Sequence, residues 1–238
     1  MDFSNEIIMS TWLPFLVAGL VQASFGLSVS LLTLLSGHAL SRKSSTARLL
    51  ALSFHYVLGV LAATGGLMLL AVYLFSFHDL VNSKPMWLAI AAFAAVMGVI
   101  IALFYYRRGK GTTLWLPRSI ADFLVHRTKA TKNNFESFLL GFGSILTELI
   151  FILSPIMVAG ILLAGKPSLP QLSGIALYTL IATLPVIIFA TLIAGGHKVS
   201  ALQSWREKNK RFLQMSAGIG MVALALYLLV YHVMEVAV

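Results

Sequence analysis

The chain contains no cysteine among its 238 residues. Thiol–disulfide exchange, thiolate metal ligation and haem attachment through cysteine are therefore excluded within it. Its six histidines are scattered, with no two close in sequence, so no short-range metal motif is present. A phosphate-binding Gly-rich loop with its lysine and a nucleophile elbow are also missing. These absences argue against an enzyme, and we predict no catalytic residue, no metal site and no cofactor.

Charged residues are also scarce, at 11% of the chain, whereas 59% of the residues are hydrophobic. Such a composition is not that of a soluble domain. Crossing a bilayer takes about 20 apolar residues in a helix. Six stretches meet this requirement, at about 12–36, 50–76, 86–106, 138–163, 172–195 and 213–236. We therefore predict an all-α membrane protein with six transmembrane helices.

Most of the charges that are present are basic, with 17 Lys and Arg against 8 Asp and Glu. Only Lys84 and Lys166 fall in the second and fourth gaps between the hydrophobic stretches. The other fifteen lie in the first, third and fifth gaps: Arg42, Lys43, Arg48; Arg107, Arg108, Lys110, Arg118, Arg127, Lys129, Lys132; Lys198, Arg206, Lys208, Lys210 and Arg211. Because basic loops stay cytoplasmic, this pattern places both termini on the non-cytoplasmic side. Buried helices of a soluble protein would not sort basic residues in this way.

The third gap, 107–136, is the longest and most polar, and it divides the chain into repeats at 1–106 and 137–238. Each repeat has three spans, so the two would cross the membrane in opposite directions, as in inverted-repeat transporters. Weak internal similarity agrees, because aligning Gln22 with Glu148 also places Phe25 on Phe151. We therefore predict two inverted 3+3 repeats.

The basic connector between the repeats has its own apolar spacing. Leu116, Ile120, Phe123 and Leu124 recur at helical intervals, and Pro117 suits a first helical turn. This spacing predicts a short amphipathic helix at the membrane interface. A plain basic tether is the alternative.

Glu148 alone among the acidic residues lies deep inside a hydrophobic stretch, about ten residues past its start. At 1.5 Å per residue this depth is roughly 15 Å, near the midplane of the bilayer. An ionisable group there costs at least ~2.5 kcal/mol and usually marks an ion or substrate path. We predict that Glu148 couples protons to transport or binds a cationic group. The alternative is a protonated carboxyl that bonds a neighbouring helix.

Polar and small residues share one stripe of the first span. The stripe comprises Gly19, Gln22, Gly26, Ser30, Thr33 and Gly37. Such stripes allow close helix packing, which is the better interpretation for the glycines. Gln22 is large and polar at membrane depth, so we expect Gln22 and Ser30 to be neutral ligands of a substrate or to contact Glu148.

Five further residues complete the predicted site. Ser144 lies on the face of Glu148, and Ser154 precedes Pro155. Pro155 and Pro185 each lie inside a span, where proline removes a hydrogen bond, so both predict helix breaks that free carbonyls. His55 lies at the cytoplasmic edge of the second span and could relay protons, or simply bond a loop carbonyl.

Two stretches carry a resemblance to a known family. They read Gly-Leu-Val-Gln-Ala-Ser-Phe-Gly-Leu-Ser (19–28) and Gly-Phe-Gly-Ser-Ile-Leu-Thr-Glu-Leu-Ile-Phe-Ile-Leu-Ser-Pro-Ile (141–156). The chain resembles the membrane superfamily that joins the lysine exporter (LysE) proteins with the DsbD/CcdA electron carriers. Ser154–Pro155 matches that pattern, but Ile156 stands where the family's redox cysteine would be. Without cysteine, the resemblance implies the solute-exporter side of the superfamily and the six-span CcdA arrangement.

The sequence thus predicts a transporter that exports amino acids or small cations by alternating access, with proton coupling through Glu148. A non-transporting membrane scaffold or assembly subunit related to CcdA-type proteins is the alternative. The expected partners are the lipid bilayer and a small solute or cation. A homo-oligomer is compatible with the sequence, and binding to nucleic acid is not expected, because the net charge of +9 follows from topology. The expected location is a bacterial or archaeal plasma (inner) membrane.

Overall fold

A computed structural model of the chain describes residues 3–25, 30, 32, 34–35, 46–77, 80–104, 123–124, 126–128, 131 and 133–234. All regular secondary structure among these residues is helical, which confirms the predicted all-α class. The helices are α1 (Phe3–Ala23), α2 (Thr46–Phe77), a 3-10 turn (Leu80–Asn82), α3 (Lys84–Phe104), α4 (Asn134–Thr147), α5 (Leu149–Ala164), α6 (Ser168–Ala194) and α7 (Val199–Leu228). A π-helical turn, Leu229–Val233, continues α7.

Four of these helices are long and apolar enough to cross a membrane: α2, α3, α6, and α7 with its π-helical turn. Helices α4 and α5 together have the length and apolarity of a fifth span, but they meet at an angle of 78°. By length and apolarity, the described residues therefore contain four helices that could span a membrane, or five if the bent pair is one span. Several apolar helices of membrane length agree with the prediction, and the number six stays a prediction.

The first predicted span, 12–36, differs from expectation because α1 ends at Ala23. Ser24 and Phe25 form a turn in which the Ser24 hydroxyl donates to the carbonyl of Leu20 over 3.0 Å. A serine hydroxyl that bonds nearby backbone competes with helix propagation. In the described part of this span, Trp12–Ala23 is a shorter apolar helix, and Ser30, Leu32, Leu34 and Leu35 are also helical.

The exposed and buried faces of α3 are both apolar. Leu88, Val96 and Leu103 are exposed, whereas Ala94 and Gly98 are buried against the other helices. Trp87 and Ile101 are also buried, so large apolar side chains lie on both faces of the helix. A helix that is apolar on all sides suits a membrane, where lipid covers the outer face.

Helix α2 runs parallel to the α4–α5 pair, as two hydrogen bonds near their ends show. The Ser137 hydroxyl donates to the carbonyl of Leu52 over 2.6 Å at one end. The Ser76 hydroxyl donates to the carbonyl of Ala164 over 3.0 Å at the other end. Because serine is short, these bonds bring the helix backbones close to each other at both ends.

Helix α7 runs antiparallel to α3. The Gln214 amide donates to the carbonyls of Ile101 and Ala102, each over 2.9 Å, near the C-terminal end of α3. At the opposite end of the pair, the rings of Trp87 and His232 stack with centroids 3.8 Å apart. The bundle therefore contains both parallel neighbours, α2 with α4–α5, and antiparallel neighbours, α3 with α7.

Glycines set the distance between α2 and α4. A Cβ atom added to Gly59 would lie 2.1 Å from the carbonyl oxygen of Phe138. One added to Gly141 would lie 2.1 Å from the carbonyl oxygen of Tyr56. The two backbones thus touch reciprocally, an approach that only residues without a side chain permit.

Part of the connector is described. Phe123, Leu124 and residues 126–128 are helical, with Leu124 and Thr128 buried. The Arg127 guanidinium lies 5.7 Å from the centre of the exposed Phe123 ring. Buried and exposed residues thus separate onto different faces here. Leu116, Pro117 and Ile120, on which the predicted amphipathic helix also depends, lie outside the described residues.

Candidate functional site

The break between α4 and α5 is at Glu148. The backbone N–H of Glu148 donates to the carbonyl of Ile145 over 3.1 Å, which closes α4. The Glu148 carbonyl then accepts hydrogen bonds from the N–H groups of Phe151 and Ile152, over 2.9 and 3.1 Å, which open α5. Two helix termini meet at this residue, and an acidic side chain at the start of a helix interacts favourably with the helix dipole.

Glu148 is 3% exposed and faces a small cavity between helices. The cavity lies where the end of α1, the middle of α2, the α4–α5 break and α6 meet, and Gln22, Phe25, Val60 and Pro185 are among its other walls. The cavity volume is about 10 Å³, counted as the space that the centre of a water molecule can occupy. This is close to the minimum space for one water. The structure thus places Glu148, Gln22 and Pro185 around a single enclosed space.

Gln22 is held by a residue that the sequence analysis did not include in the site. The Tyr178 hydroxyl of α6 donates to the Gln22 side-chain oxygen over 2.7 Å, and both side chains are buried. A buried tyrosine hydroxyl normally has a hydrogen-bond partner. Tyr178 in the middle of an apolar span was the signal that could have identified it.

We expect Tyr178→Phe to destabilise the protein by about 1–3 kcal/mol, because it leaves a buried amide oxygen unpaired. Adding Gln22→Leu should recover part of this loss, since replacing both partners removes the unpaired group. Thermal unfolding in detergent measures both effects. Tyr73→Phe is the control, because Tyr73 is 59% exposed on α2. Equal stability of Tyr178→Phe and the wild type would show that the bond contributes nothing.

The predicted serines have different surroundings. Ser30 accepts a hydrogen bond from Arg206 of α7. Ser144 donates to the carbonyl of Gly141 over 2.6 Å, within its own helix. Ser154 is fully buried, and its hydroxyl has no hydrogen-bond partner in the part of the chain that the structure describes. Among the described residues that face the cavity, none of these serines appears. Gly26, Thr33 and Gly37 of the same predicted stripe lie outside the described residues.

His55 is bonded within its own helix. Its Nδ1 lies 2.7 Å from the carbonyl oxygen of Ala51, one turn earlier in α2. The partner of His55 is thus a carbonyl of its own helix. The sequence had left open a proton relay and a bond to a loop carbonyl. The ring also meets the neighbouring Phe54 edge-on, with centroids 5.7 Å apart.

The helix interruption lies at Glu148 and not at the prolines. Pro155 is inside α5, and Pro185 is inside α6. The predicted break positions therefore need correction. The physical reason is that proline removes one hydrogen bond but can be accommodated when neighbouring helices pack around it. Both prolines still lack the N–H that would bond the carbonyl four residues earlier, and Pro185 lines the cavity.

Among the residues that the structure describes, no group of three His, Asp or Glu side chains could hold a metal ion. Apart from backbone groups, the polar chemistry that the described residues bring to the cavity is that of one carboxyl group and one amide, and the amide oxygen is bonded by the Tyr178 hydroxyl. These groups can bind a proton, a cation or a polar solute. Comparisons of the chain with protein-family models, curated proteins and solved structures gave no match.

Proposed function

We propose that the chain is an integral-membrane transporter that exports amino acids or small cations by alternating access, with proton coupling through Glu148. The observation that carries this proposal is the helix break at Glu148, which opens onto a buried cavity. Broken helices in transporters place helix ends and unbonded carbonyls at the substrate site near the membrane midplane. A scaffold has no use for an acidic group at this depth, where it costs at least ~2.5 kcal/mol.

The helix contacts support two inverted repeats. If α1, α2 and α3 correspond to α4–α5, α6 and α7, each helix has its counterpart as a neighbour: α1 packs on α5, α2 on α6, and α3 on α7. Other large contacts also exchange, because α1 with α7 mirrors α3 with α5, and α1 with α6 mirrors α2 with α4 and α5. The smaller contacts of α5 with α6 and α7 have no counterpart among the described residues of the first half. Exchange of the main contacts is expected when a two-fold axis relates the halves.

Individual residues near this axis agree with the internal sequence alignment. Phe25 and Phe151 are equivalent in that alignment, and their ring centroids are 6.4 Å apart. Gln22 and Glu148 are also equivalent, and both line the cavity. Two residues that a two-fold axis relates lie close to each other only when both are next to that axis. We infer that the cavity lies on the axis between the repeats, where inverted-repeat transporters bind their substrates.

In the proposed mechanism, Glu148 alternates between a protonated state and a state that binds the cationic group of the solute. Glu148 releases its proton when the cationic group binds and takes up a proton when that group leaves. The buried site therefore carries no net charge while it opens to one side of the membrane and then to the other. Gln22, oriented by Tyr178, supplies a neutral oxygen and amide next to it. The cavity closes to about one water molecule between openings, which prevents leakage of protons.

The alternative is a non-transporting scaffold or assembly subunit, and one observation favours it. The cavity is too small for a solute, and Gln22 is already bonded to Tyr178. A packed interface between helices would have the same appearance. The two functions differ in whether solute crosses the membrane.

Flux in proteoliposomes tests the proposal. Vesicles that contain the protein are loaded with radiolabelled amino acids or monovalent cations. They should release the solute faster when a pH gradient is imposed. Protein-free vesicles of the same lipid are the control for leakage. If no solute of either class moves faster than in that control, with or without a gradient, the transporter proposal is wrong and the scaffold remains.

The proposed topology is tested separately. We expect reporters after residue 238 and near Lys84 and Lys166 to lie outside, and reporters near Arg42, Lys129 and Lys208 to lie inside, because basic loops stay cytoplasmic. The wild type has no cysteine, so Ser168→Cys and Ser204→Cys each give one reactive thiol at an exposed position. A membrane-impermeant maleimide should label Ser168→Cys in intact cells and Ser204→Cys only after lysis. A cytoplasmic C-terminus would contradict the inverted 3+3 assignment.

A further inference from the structure

Arg206 of α7 is a buried cation that the proposed mechanism does not use. It is 4% exposed, and its Nη1 donates to the Ser30 hydroxyl oxygen. Its Nη2 is buried and has no hydrogen-bond partner in the described part of the chain. Burial of an unbonded guanidinium N–H is costly, and native proteins seldom leave one without a partner. The position therefore fits a group that receives a ligand.

The bond to Ser30 limits how far Arg206 can lie from the cavity, although neither is among the described residues that line it. Ser30 follows Phe25 by five residues, and Phe25 lines the cavity. Five residues span at most about 18 Å, which limits the distance from Phe25 to Ser30. Arg206 also lies in the basic first part of α7, which includes Lys208 and Arg211. In the proposed topology this part is cytoplasmic, so Arg206 is on the side where an exported solute enters.

We propose that Arg206 binds the carboxylate of the transported solute at the cytoplasmic entrance, so that the substrate is an amino acid and not a simple cation. This inference rests on the proposed function. A guanidinium presents paired N–H donors that match a carboxylate, and such charge-assisted bonds are stronger than neutral ones. Glu148 then takes the ammonium group further along the path. Because Arg206 is nearly inaccessible here, the solute reaches it in another state of the proposed alternating-access cycle.

Pairs of amino acids and their amides test the proposal, since an amide keeps the side chain and the ammonium group but lacks the carboxylate. Alanine, leucine and lysine are each compared with alaninamide, leucinamide and lysinamide by thermal unfolding of the purified full-length protein. A ligand of the folded state raises the melting temperature by mass action. We expect at least one amino acid to bind the wild type about tenfold or more tightly than its amide. Arg206→Gln should lose this preference.

Lys208→Gln is the matched control, because Lys208 is an exposed basic residue on the same helix. It should keep the preference for the amino acid. Without ligand, Arg206→Gln should be at least as stable as the wild type, because the substitution removes an unpaired buried charge. A destabilised Arg206→Gln protein that keeps the preference would show that Arg206 only holds Ser30, and would overturn the proposal.

Two further outcomes also overturn it. One is the absence of any preference for an amino acid over its amide in the wild type. The other is stabilisation by inorganic phosphate alone, which would identify Arg206 as a phosphate or lipid-headgroup contact. Binding is measured without transport, so the two proposals can fail separately. If the protein prefers the carboxylate but shows no flux, the Arg206 subsite is supported and the transporter proposal is wrong. If cations cross the membrane but no carboxylate preference is found, the transporter proposal is supported and the Arg206 subsite is wrong.

Discussion

Glu148→Gln should abolish proton-coupled flux while the protein folds normally. The amide is nearly the same size as the carboxyl group and costs less to bury, so the α4–α5 break and its backbone hydrogen bonds can remain. It cannot take up and release a proton, however, and it gives no negative charge to a cationic group. Glu148→Leu should fold at least as well as the wild type and be equally inactive. Flux in proteoliposomes at matched protein levels measures this.

Glu136→Gln is the matched control for this loss. Glu136 is an exposed carboxylate in the first turn of α4, twelve residues before Glu148 on the same broken helix. It should transport at the wild-type rate, with at most a few tenths of a kcal/mol lost from its favourable interaction with the helix dipole. Wild-type rates in Glu148→Gln or Glu148→Leu would leave Glu148 as a packing residue and would contradict proton coupling through it.

Gly59→Ala and Gly141→Ala should each destabilise the protein strongly, because a methyl group at either position meets a backbone carbonyl at 2.1 Å. A backbone atom cannot rotate away, so α2 and α4 must separate by roughly 1 Å and lose their packing. We expect a cost near the upper end of overpacking penalties, about 3 kcal/mol or more. For a protein of this size the melting temperature would fall by about 10 °C. Thermal unfolding in detergent gives the value.

The same two helices supply the controls for this prediction. A Cβ atom added to Gly66 of α2 or to Gly143 of α4 meets nothing within 4 Å among the described residues. Gly66→Ala and Gly143→Ala should therefore be neutral or slightly stabilising, because alanine is the better helix former. If all four variants were equally stable, the close contact between α2 and α4 would not be part of the folded protein.

Composition and periodicity predicted much of the fold, because a chain that crosses a bilayer needs long apolar helices. Three of the four uninterrupted helices lie close to the predicted stretches, for example α3 at Lys84–Phe104 against 86–106. Helix α7 begins earlier than predicted, at Val199 against 213. The two interruptions were not predicted at their observed positions. A turn at Ser24 and a break at Glu148 depend on which partners the backbone finds locally. Proline positions alone do not settle this.

The candidate site was predicted in part. Glu148 and Gln22 could be selected from the sequence because a large polar side chain inside an apolar stretch is costly and therefore informative. That both line one cavity, and that Tyr178 binds Gln22, depends on contacts between residues up to 156 positions apart. Ser30 was predicted as a neutral ligand of the substrate, and its contact with Arg206 could not be read from a pattern. Side-chain partners are set by packing and not by spacing.

By itself the sequence determined the helical class, the apolar lengths of the spans and the chemistry that is excluded, because each follows from local composition and from the cost of polar groups in lipid. Only the tertiary structure decided where the helices break, how closely Gly59 and Gly141 bring α2 and α4 together, and which polar groups share the buried cavity. These features are set by van der Waals contact and hydrogen bonding between distant segments. Inside lipid no hydrophobic force drives one helix against another, so the hydrophobic pattern of the sequence does not show which helix faces pack together.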